Sequence, residues 1–222
     1  MQFVYHENSS DELLTLDGEF YNYLIKVRRH NINETIWFRN MKDDFLYEYK
    51  IESISKRDAK LLLVNSVEKK VEATQESHLA WCVVDTKTIE KTLPFLNELG
   101  IKKLSFVYAD YSQKNFKLNF EKYNKILINS SQQSGRSSLM ELKLFKSVDE
   151  FLKIYPKSYM FNFSQNTVDE QTDIQTIIIG CEGGFSKREI ALFESSKIVG
   201  IKTNLILRSE TAVTLVGSKL LV

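Results

Sequence analysis

The chain is poor in cysteine, proline and glycine, with two, two and eight of these residues among 222. Cys82 and Cys181 lie far apart in the sequence, which argues against a disulfide framework and a clustered zinc site, so we expect a reducing compartment and no metal. No apolar run approaches the roughly 20 residues of a membrane span. The N-terminal segment lacks a basic stretch followed by an apolar one. We therefore expect a cytoplasmic protein with no membrane partner.

An excess of charge of either sign is also missing, since 30 basic and 29 acidic residues leave a net charge of +1. This balance excludes nucleic-acid binding driven by bulk charge, as in histones, but it permits a local basic patch. The composition, 43% hydrophobic and 27% charged, is typical of a folded protein. The length suits one large domain or a small domain joined to a medium one.

The first seventy residues alternate short β-branched and aromatic segments with polar turns, which is typical of strands. One segment, Asp17–Arg29, instead has apolar residues at i, i+3, i+4 and i+7 and predicts a helix. Regularly spaced short strands with one helix indicate a small β-barrel over residues 1–70. The predicted strands are Phe3–Tyr5, Thr35–Phe38, Phe45–Ile51 and Lys60–Val64.

A polar stretch without periodicity, around residues 68–77, marks a domain boundary, with 71–76 as the linker and 77–222 as the second domain. Strands and helices alternate in that domain, which predicts an α/β fold with a parallel sheet and helices on both faces. Ligands of such sheets bind at the carboxyl ends of the strands. The predicted strands are 78–84, 101–108, 142–145, 159–163, 176–179 and one or two within 198–207; the predicted helices are 86–99, 118–134, 147–155, 187–196 and 210–221.

A buried strand, Thr176–Ile179, runs directly into the glycine-rich turn Gly180–Gly184 and then into a helix opened by Ser186. Glycines in such a turn allow a ligand to approach the backbone, and amides at a helix N-terminus attract polar groups. The turn matches neither the P-loop nor the dinucleotide-binding spacing. An ordinary tight turn between strand and helix is the alternative.

A second apolar segment, Asn204–Leu207, stops at Arg208 and is followed by Ser209, Glu210 and Thr211. The simpler interpretation makes Ser209 a helix N-cap, lets Glu210 favour the helix dipole and leaves Arg208 solvated. In one parallel sheet, however, two polar strand ends so close in sequence are able to converge on one pocket.

These two segments, GCEGGFS and ILRSETA, resemble the paired signature of the RsmE family, the 16S ribosomal RNA uridine-N3 methyltransferases of the knotted SPOUT superfamily. The family patterns read roughly G-P-E-G-G-[FW]-[ST] and I-L-R-x-E-T-A. The resemblance extends in outline over the whole chain, through Tyr23–Arg29, Glu98–Ile101 and Gln132–Arg136.

The sequence departs from the family pattern mainly outside the cofactor segments. Within them, Cys181 replaces the usual proline. The segments that would face RNA differ more, which affects the choice of nucleotide more than the type of reaction. The departures there are Tyr23 and Arg28 for His and Leu, Asn33-Glu34 for Gly-Asp, Phe95 for Lys, Ala109–Ser112 for T-E-R-S, and Asn129 and Gln132 for acidic residues.

The resemblance implies a C-terminal SPOUT trefoil-knot domain that binds S-adenosylmethionine, preceded by a PUA-like β-barrel that binds RNA, in a homodimer. It implies methylation of one uridine of small-subunit ribosomal RNA, in an assembled or late-assembling subunit. The cofactor residues would be Phe161, Gly180, Cys181, Glu182, Gly183, Gly184, Leu205, Ile206, Leu207 and Thr211, and the catalytic residues Arg208 and Glu210.

Basic residues that closely follow Tyr21 and Tyr23, namely Lys26, Arg28 and Arg29, suit RNA binding, and Arg136 joins them from the family pattern. A solvated helix end is the alternative. Lys114 and Lys117 are read as solvated. The three histidines are isolated and are read as structural or solvated, because no metal-ligand spacing joins them.

Loss of the N3 proton leaves negative charge on the uracil ring, which Arg208 is placed to stabilise. Glu210 either accepts the proton or orients Arg208, and orientation is favoured because a carboxylate beside a guanidinium is a weak base.

Two rival functions remain. One is a non-catalytic RNA-binding ribosome-assembly factor, and the other is a doubly wound enzyme acting on a phosphorylated small molecule.

Overall fold

The computed structural model describes residues 2–171 and 174–221, and the chain divides into two compact units. The first unit holds the residues up to Glu72 together with Ile128–Leu139, and the second holds Ala73–Leu127 and the residues from Met140 on. Residues 128–139, which the sequence places in the second domain, therefore group with the first.

The first unit is built on a five-stranded curled sheet, an open half-barrel in the order β1-β3-β4-β5-β2. Strands β1 and β3 pair in parallel and the other neighbours are antiparallel. The predicted barrel is thus a curled sheet with β1 and β2 at its edges. Its elements are β1 Val4–Tyr5, β2 Leu13–Leu16, α1 Gly18–Tyr21, a π-helical turn Asn22–Val27, β3 Thr35–Arg39, β4 Phe45–Ile54 and β5 Ala59–Glu68.

Two features of this unit differ from the predictions. Strand β2 was not predicted because it has four residues in a polar stretch, although Leu14 and Leu16 are buried by its pairing with β5. The predicted helix Asp17–Arg29 splits into α1 and a π-helical turn, where the Arg28 amide donates to the Tyr23 carbonyl at 2.9 Å.

The core of the first unit follows the period-2 pattern of β4, whose residues Tyr47, Tyr49 and Ile51 are buried. The Tyr49 hydroxyl donates to the Asp11 carbonyl, so its polar end is satisfied. Arg39 is also buried, and its guanidinium donates to the carbonyls of Asp44 and Phe45, at the start of β4, and of Lys69, directly after β5.

The second unit contains a six-stranded, all-parallel sheet in the order β11-β9-β10-β6-β7-β8. The predicted alternation is confirmed. Its elements are β6 His78–Cys82, α2 Thr86–Leu99, β7 Lys103–Val107, the part of α3 Phe120–Ser134 that precedes Ile128, β8 Glu141–Phe145, α4 Val148–Ile154, β9 Tyr159–Phe161, β10 Thr176–Ile179, α5 Lys187–Ile190, β11 Ile198–Val199 and α6 Ser209–Lys219.

Local capping signals set most of these boundaries. The Asp85 carboxylate accepts from the Lys87 and Thr88 amides at the start of α2, and Ser147 caps α4 through the Glu150 amide. Helix α5 is shorter than predicted and ends at Ile190, because the next turns close with i→i+3 bonds. One short strand, β11, lies within 198–207 as predicted, but Asn204–Leu207, which was expected to be a strand, is a loop. In the described residues no helix has the length and apolar character of a membrane span.

The central strands β6 and β10 are almost wholly buried, as expected for strands covered on both faces. His78, at the start of β6, hydrogen-bonds the Ser105 hydroxyl through Nε2 at 2.7 Å and packs against the rings of Phe151 and Tyr155. Burial, with Lys103 adding repulsion, lowers the pKa of His78 to about 3.

This burial makes stability depend on pH. Since the His78 pKa is about 3 in the folded chain and about 6.5 unfolded, the unfolded state binds the extra proton as pH falls from about 6.5 to 3. The contribution of neutral His78 to the free energy of unfolding is therefore fully present above pH 6.5 and declines as the pH falls below it. Urea unfolding should show that His78→Gln flattens the pH dependence by about 1.4 kcal/mol per pH unit between pH 4 and 6. Equal slopes for both proteins would contradict this.

Candidate active site

The glycine turn after β10 and the segment that enters α6 line one cavity of about 780 Å³. Phe161, the last residue of β9, lies on the same cavity. The convergence predicted from the two strand ends is therefore present, although the segment 201–207 is a loop and not a strand. The predicted site residues that line the cavity are Phe161, Gly180, Cys181, Glu182, Gly183, Gly184, Leu205, Ile206, Leu207 and Arg208.

The glycine turn is held tight by its own backbone. The Gly184 amide donates to the Cys181 carbonyl at 2.9 Å, and Gly184 has a φ of +68°, which strains any residue with a Cβ atom. A Cβ atom on Gly180 would lie 3.1 Å from the Gly184 Cα atom. Glycine at these two positions therefore permits the close turn that leaves backbone facing the cavity.

A buried hydroxyl joins this turn to α6. Ser209 Oγ donates to the Gly180 carbonyl and accepts from the Trp81 indole Nε1 at 2.7 Å. Ser209 is thus not the N-cap, a position that Arg208 occupies without a side-chain cap bond. Trp81 was not predicted to matter, since its partner lies 128 residues away.

Arg208 is exposed at the N-terminus of α6 and borders the cavity. Its guanidinium and the helix N-terminus both favour negative charge at this point. Glu210 is half-buried and Thr211 is exposed, and neither lines the cavity. Among the described residues no hydrogen bond or ion pair joins Arg208 to Glu210.

A clamp of charges beside the glycine turn was not predicted. Arg188 donates two hydrogen bonds to the Asp110 carboxylate, at 2.9 and 3.2 Å, and two to Asp149, at 2.9 and 3.1 Å. Hydrogen bonds from Arg188 and Ser186 lower the pKa of Asp110. The buried Glu189 carboxylate accepts from the Asp110 and Ser186 amides. Together these contacts tie the loop after β7 to the start of α5.

The two cysteines are both buried. Burial raises the pKa of the Cys181 thiol and raises that of Cys82 well above its ordinary value. Both are therefore protonated thiols near neutral pH, which makes them poor nucleophiles. No group of acidic, histidine or cysteine side chains fit to hold a metal occurs in residues 2–171 and 174–221.

The candidate RNA residues lie in the first unit but differ in exposure. Lys26 lies over the Tyr21 ring, and Arg28 lies over the Tyr23 ring while donating to its hydroxyl at 2.9 and 3.1 Å. Arg29 is exposed. Arg136, in contrast, is only 5% exposed.

Because Ser209 pairs with the buried Trp81 indole and the part-buried Gly180 carbonyl, removing its hydroxyl should leave both groups unpaired. We expect Ser209→Ala to lower the free energy of unfolding by about 2 kcal/mol. Ser218→Ala is the matched control, since that hydroxyl on α6 donates only to the Leu215 carbonyl, and it should cost about 0.5 kcal/mol or less. Urea titration measures both, and equal losses would refute the bridging role.

Models of two protein families match the chain. The RNA methyltransferase domain matches residues 71–221, and the RNA methyltransferase PUA domain matches residues 16–64. These matches cover the parallel-sheet unit and most of the curled-sheet unit.

Relatives match the chain from end to end. Ribosomal RNA small subunit methyltransferase E of Helicobacter pylori strain 26695 is 42% identical, with 98% of each chain covered. The enzyme of that name from Aquifex aeolicus is 27% identical, over 100% of this chain and 99% of its own. The crystal structure of the Neisseria gonorrhoeae protein of the same name, bound to S-adenosyl methionine, has a TM-score of 0.81 at 19% identity, covering 98% of this chain and 95% of its own. The chain therefore belongs to the ribosomal RNA small subunit methyltransferase E family, the RsmE family.

Proposed function

We propose that this protein transfers the methyl group of S-adenosylmethionine to N3 of one uridine in 16S ribosomal RNA. The observation that carries the proposal is the convergence of the glycine turn and the Leu205–Arg208 segment on one cavity. The family supplies the reaction class, and its relatives carry the name of a small-subunit RNA methyltransferase.

The cavity suits an adenosine-sized cofactor. Its volume of about 780 Å³ lies inside the usual range for small-molecule sites, roughly 300–1,000 Å³. Its wall combines apolar side chains, among them Phe161, Ile179 and Leu207, with the bare backbone of the glycine turn. Apolar walls suit the faces of a purine, and backbone amides and carbonyls suit its polar edge. We assign Thr211 to the same cofactor set from the family pattern.

When bound, S-adenosylmethionine would supply a methyl group whose carbon a nucleophile can attack, because the positively charged sulfur that carries it leaves as a neutral thioether. Uridine N3 carries a proton at neutral pH, so the nucleophile forms only as that proton leaves. Negative charge then spreads over N3 and the two flanking carbonyl oxygens. Arg208 stabilises this charge, since its guanidinium carries several hydrogen-bond donors and stands beside the positive end of α6.

Glu210 lies in the first turn of α6, two residues after Arg208. It either accepts the N3 proton, directly or through water, or orients Arg208 once RNA is bound. Glu210→Gln distinguishes these roles, because an amide still accepts a hydrogen bond from Arg208 but takes up no proton.

The RNA would reach the site with its target uridine unpaired, because N3 lies on the Watson–Crick edge. We assign RNA binding to the PUA-like domain, over residues 1–70, and methyl transfer to residues 77–222, with 71–76 as the linker. The substrate is an assembled or late-assembling small subunit in the cytoplasm.

We further propose that the second domain contains a trefoil knot and that the protein is a homodimer. Leu205 and Ile206, 73% and 83% exposed, supply apolar surface for the second copy.

Arg208→Ala should keep S-adenosylmethionine affinity and lower the single-turnover rate at saturating RNA about a hundredfold or more, the scale for removing one charge-stabilising donor. Purified small subunits lacking the modification are the substrate, and calorimetry gives cofactor affinity. Lys202→Ala, which removes an exposed cation from the same segment, should leave the rate unchanged. Wild-type cofactor binding without turnover would favour the non-catalytic assembly factor.

The basic cluster of the first unit should act through local phosphate contacts, because residues 1–70 carry a net charge of about −1. Arg28→Ala with Arg29→Ala should weaken binding to small-subunit RNA and reduce the salt slope of log K by about one to two units. Lys56→Ala with Arg57→Ala, in the exposed turn before β5, is the charge-matched control. If both pairs leave the slope at its wild-type value, the cluster is a solvated helix end.

A further inference from the structure

The loop that follows β7, residues 108–117, is called here the Tyr111 loop. Its aromatic ring and two of its cations face solvent: Tyr111 is 57% exposed, and Lys114 and Lys117 are exposed as well. In the described part of the chain neither lysine makes an ion pair. An exposed aromatic side chain close to unpaired cations is the combination that binds single-stranded nucleic acid.

Both neighbours of Tyr111 are fastened to the rest of the unit. The Ala109 amide donates to the Ser112 hydroxyl, and the Ser112 amide donates to the Ala109 carbonyl, which closes a tight turn under Tyr111. Asp110 is held through its amide by the buried carboxylate of Glu189 and through its carboxylate by Arg188. The ring is therefore presented from a rigid base.

The far end of the loop is held too. The Tyr108 hydroxyl donates to the Phe116 carbonyl at 2.5 Å. Lys114 lies close enough to Asp110 to contribute to the lowering of its pKa, after the larger effect of hydrogen bonds from Arg188 and Ser186. Lys114 and the base of Tyr111 thus belong to one local surface.

This surface adjoins the candidate active site. A Cβ atom placed on Gly183 would lie 3.0 Å from the Tyr111 Cβ atom, and Gly183 lines the cavity. Tyr111 therefore stands directly behind the glycine turn. The family pattern has arginine where this chain has Tyr111, so the ring distinguishes this chain from that pattern.

We propose that the Tyr111 loop is a binding surface for the unpaired RNA strand that carries the target uridine. Tyr111 stacks on a base next to that uridine, and Lys114 and Lys117 contact the flanking phosphates. Extrusion of the uridine removes a stacking partner from its neighbours, and the tyrosine ring replaces it. This inference rests on the proposed RNA methylation and adds the strand's position beside the cofactor cavity.

The test compares Tyr111→Ala and Tyr111→Phe in kcat/KM on small subunits lacking the modification, and in affinity for an oligouridylate of about 12 nucleotides. Loss of one stacked base should reduce both quantities about tenfold to a hundredfold in the alanine variant. The phenylalanine variant keeps the ring and should match the wild type. Cofactor affinity should be the same in all three proteins.

Lys114→Gln tests the phosphate contact and should reduce the salt slope for the oligouridylate by about 0.7. Lys157→Gln, an exposed lysine after α4, is the control and should not change it. Wild-type affinity and turnover in Tyr111→Ala, or equal losses in the alanine and phenylalanine variants, would overturn the proposal. A wild-type protein that binds the oligouridylate through Tyr111 but methylates no subunit would overturn the proposed function and leave this surface standing.

Discussion

One buried hydroxyl, that of Ser209, holds together the parts of the second unit that make the candidate site. It accepts from the Trp81 indole in β6 and donates to the Gly180 carbonyl at the start of the glycine turn. Hydrogen bonds between buried groups are costly to break because each partner is left without water. The turn, the central strand and the first residue of α6 are therefore fixed relative to one another, and Arg208 takes its place as the residue immediately before this anchor.

A second set of polar contacts extends this order to the loops around the cavity. Arg188 bridges Asp110, in the loop after β7, and Asp149, in helix α4 after β8. Exposed ion pairs add little stability singly, but a guanidinium that donates four hydrogen bonds restricts the geometry of both carboxylates. This network positions the loops around the cavity, whereas the buried residues of the strands form the apolar core.

The sequence predicted well whatever depends on near neighbours. Helix α2 has the predicted bounds because Asp85 caps it and Gly100 ends it with a φ of +95°, and the cavity follows from the carboxyl-end rule for parallel sheets. Features that depend on distant partners escaped prediction. Strand β2 is buried only by pairing with β5, Ser209 finds Trp81 across 128 residues, and the burial of Arg136 has no local signal.

The strand order affects how the chain folds while it is being synthesised. Strand β6 is made early, yet its neighbour β10 pairs with it across 98 positions, from His78 to Thr176. Ser209 follows Trp81 by 128 residues, an interval on the order of 10 s at typical translation rates. Long-range pairing of this kind also slows folding itself. The cavity is therefore complete only after the start of α6 has been synthesised, because Arg208, Ser209 and Ala212 form part of its wall.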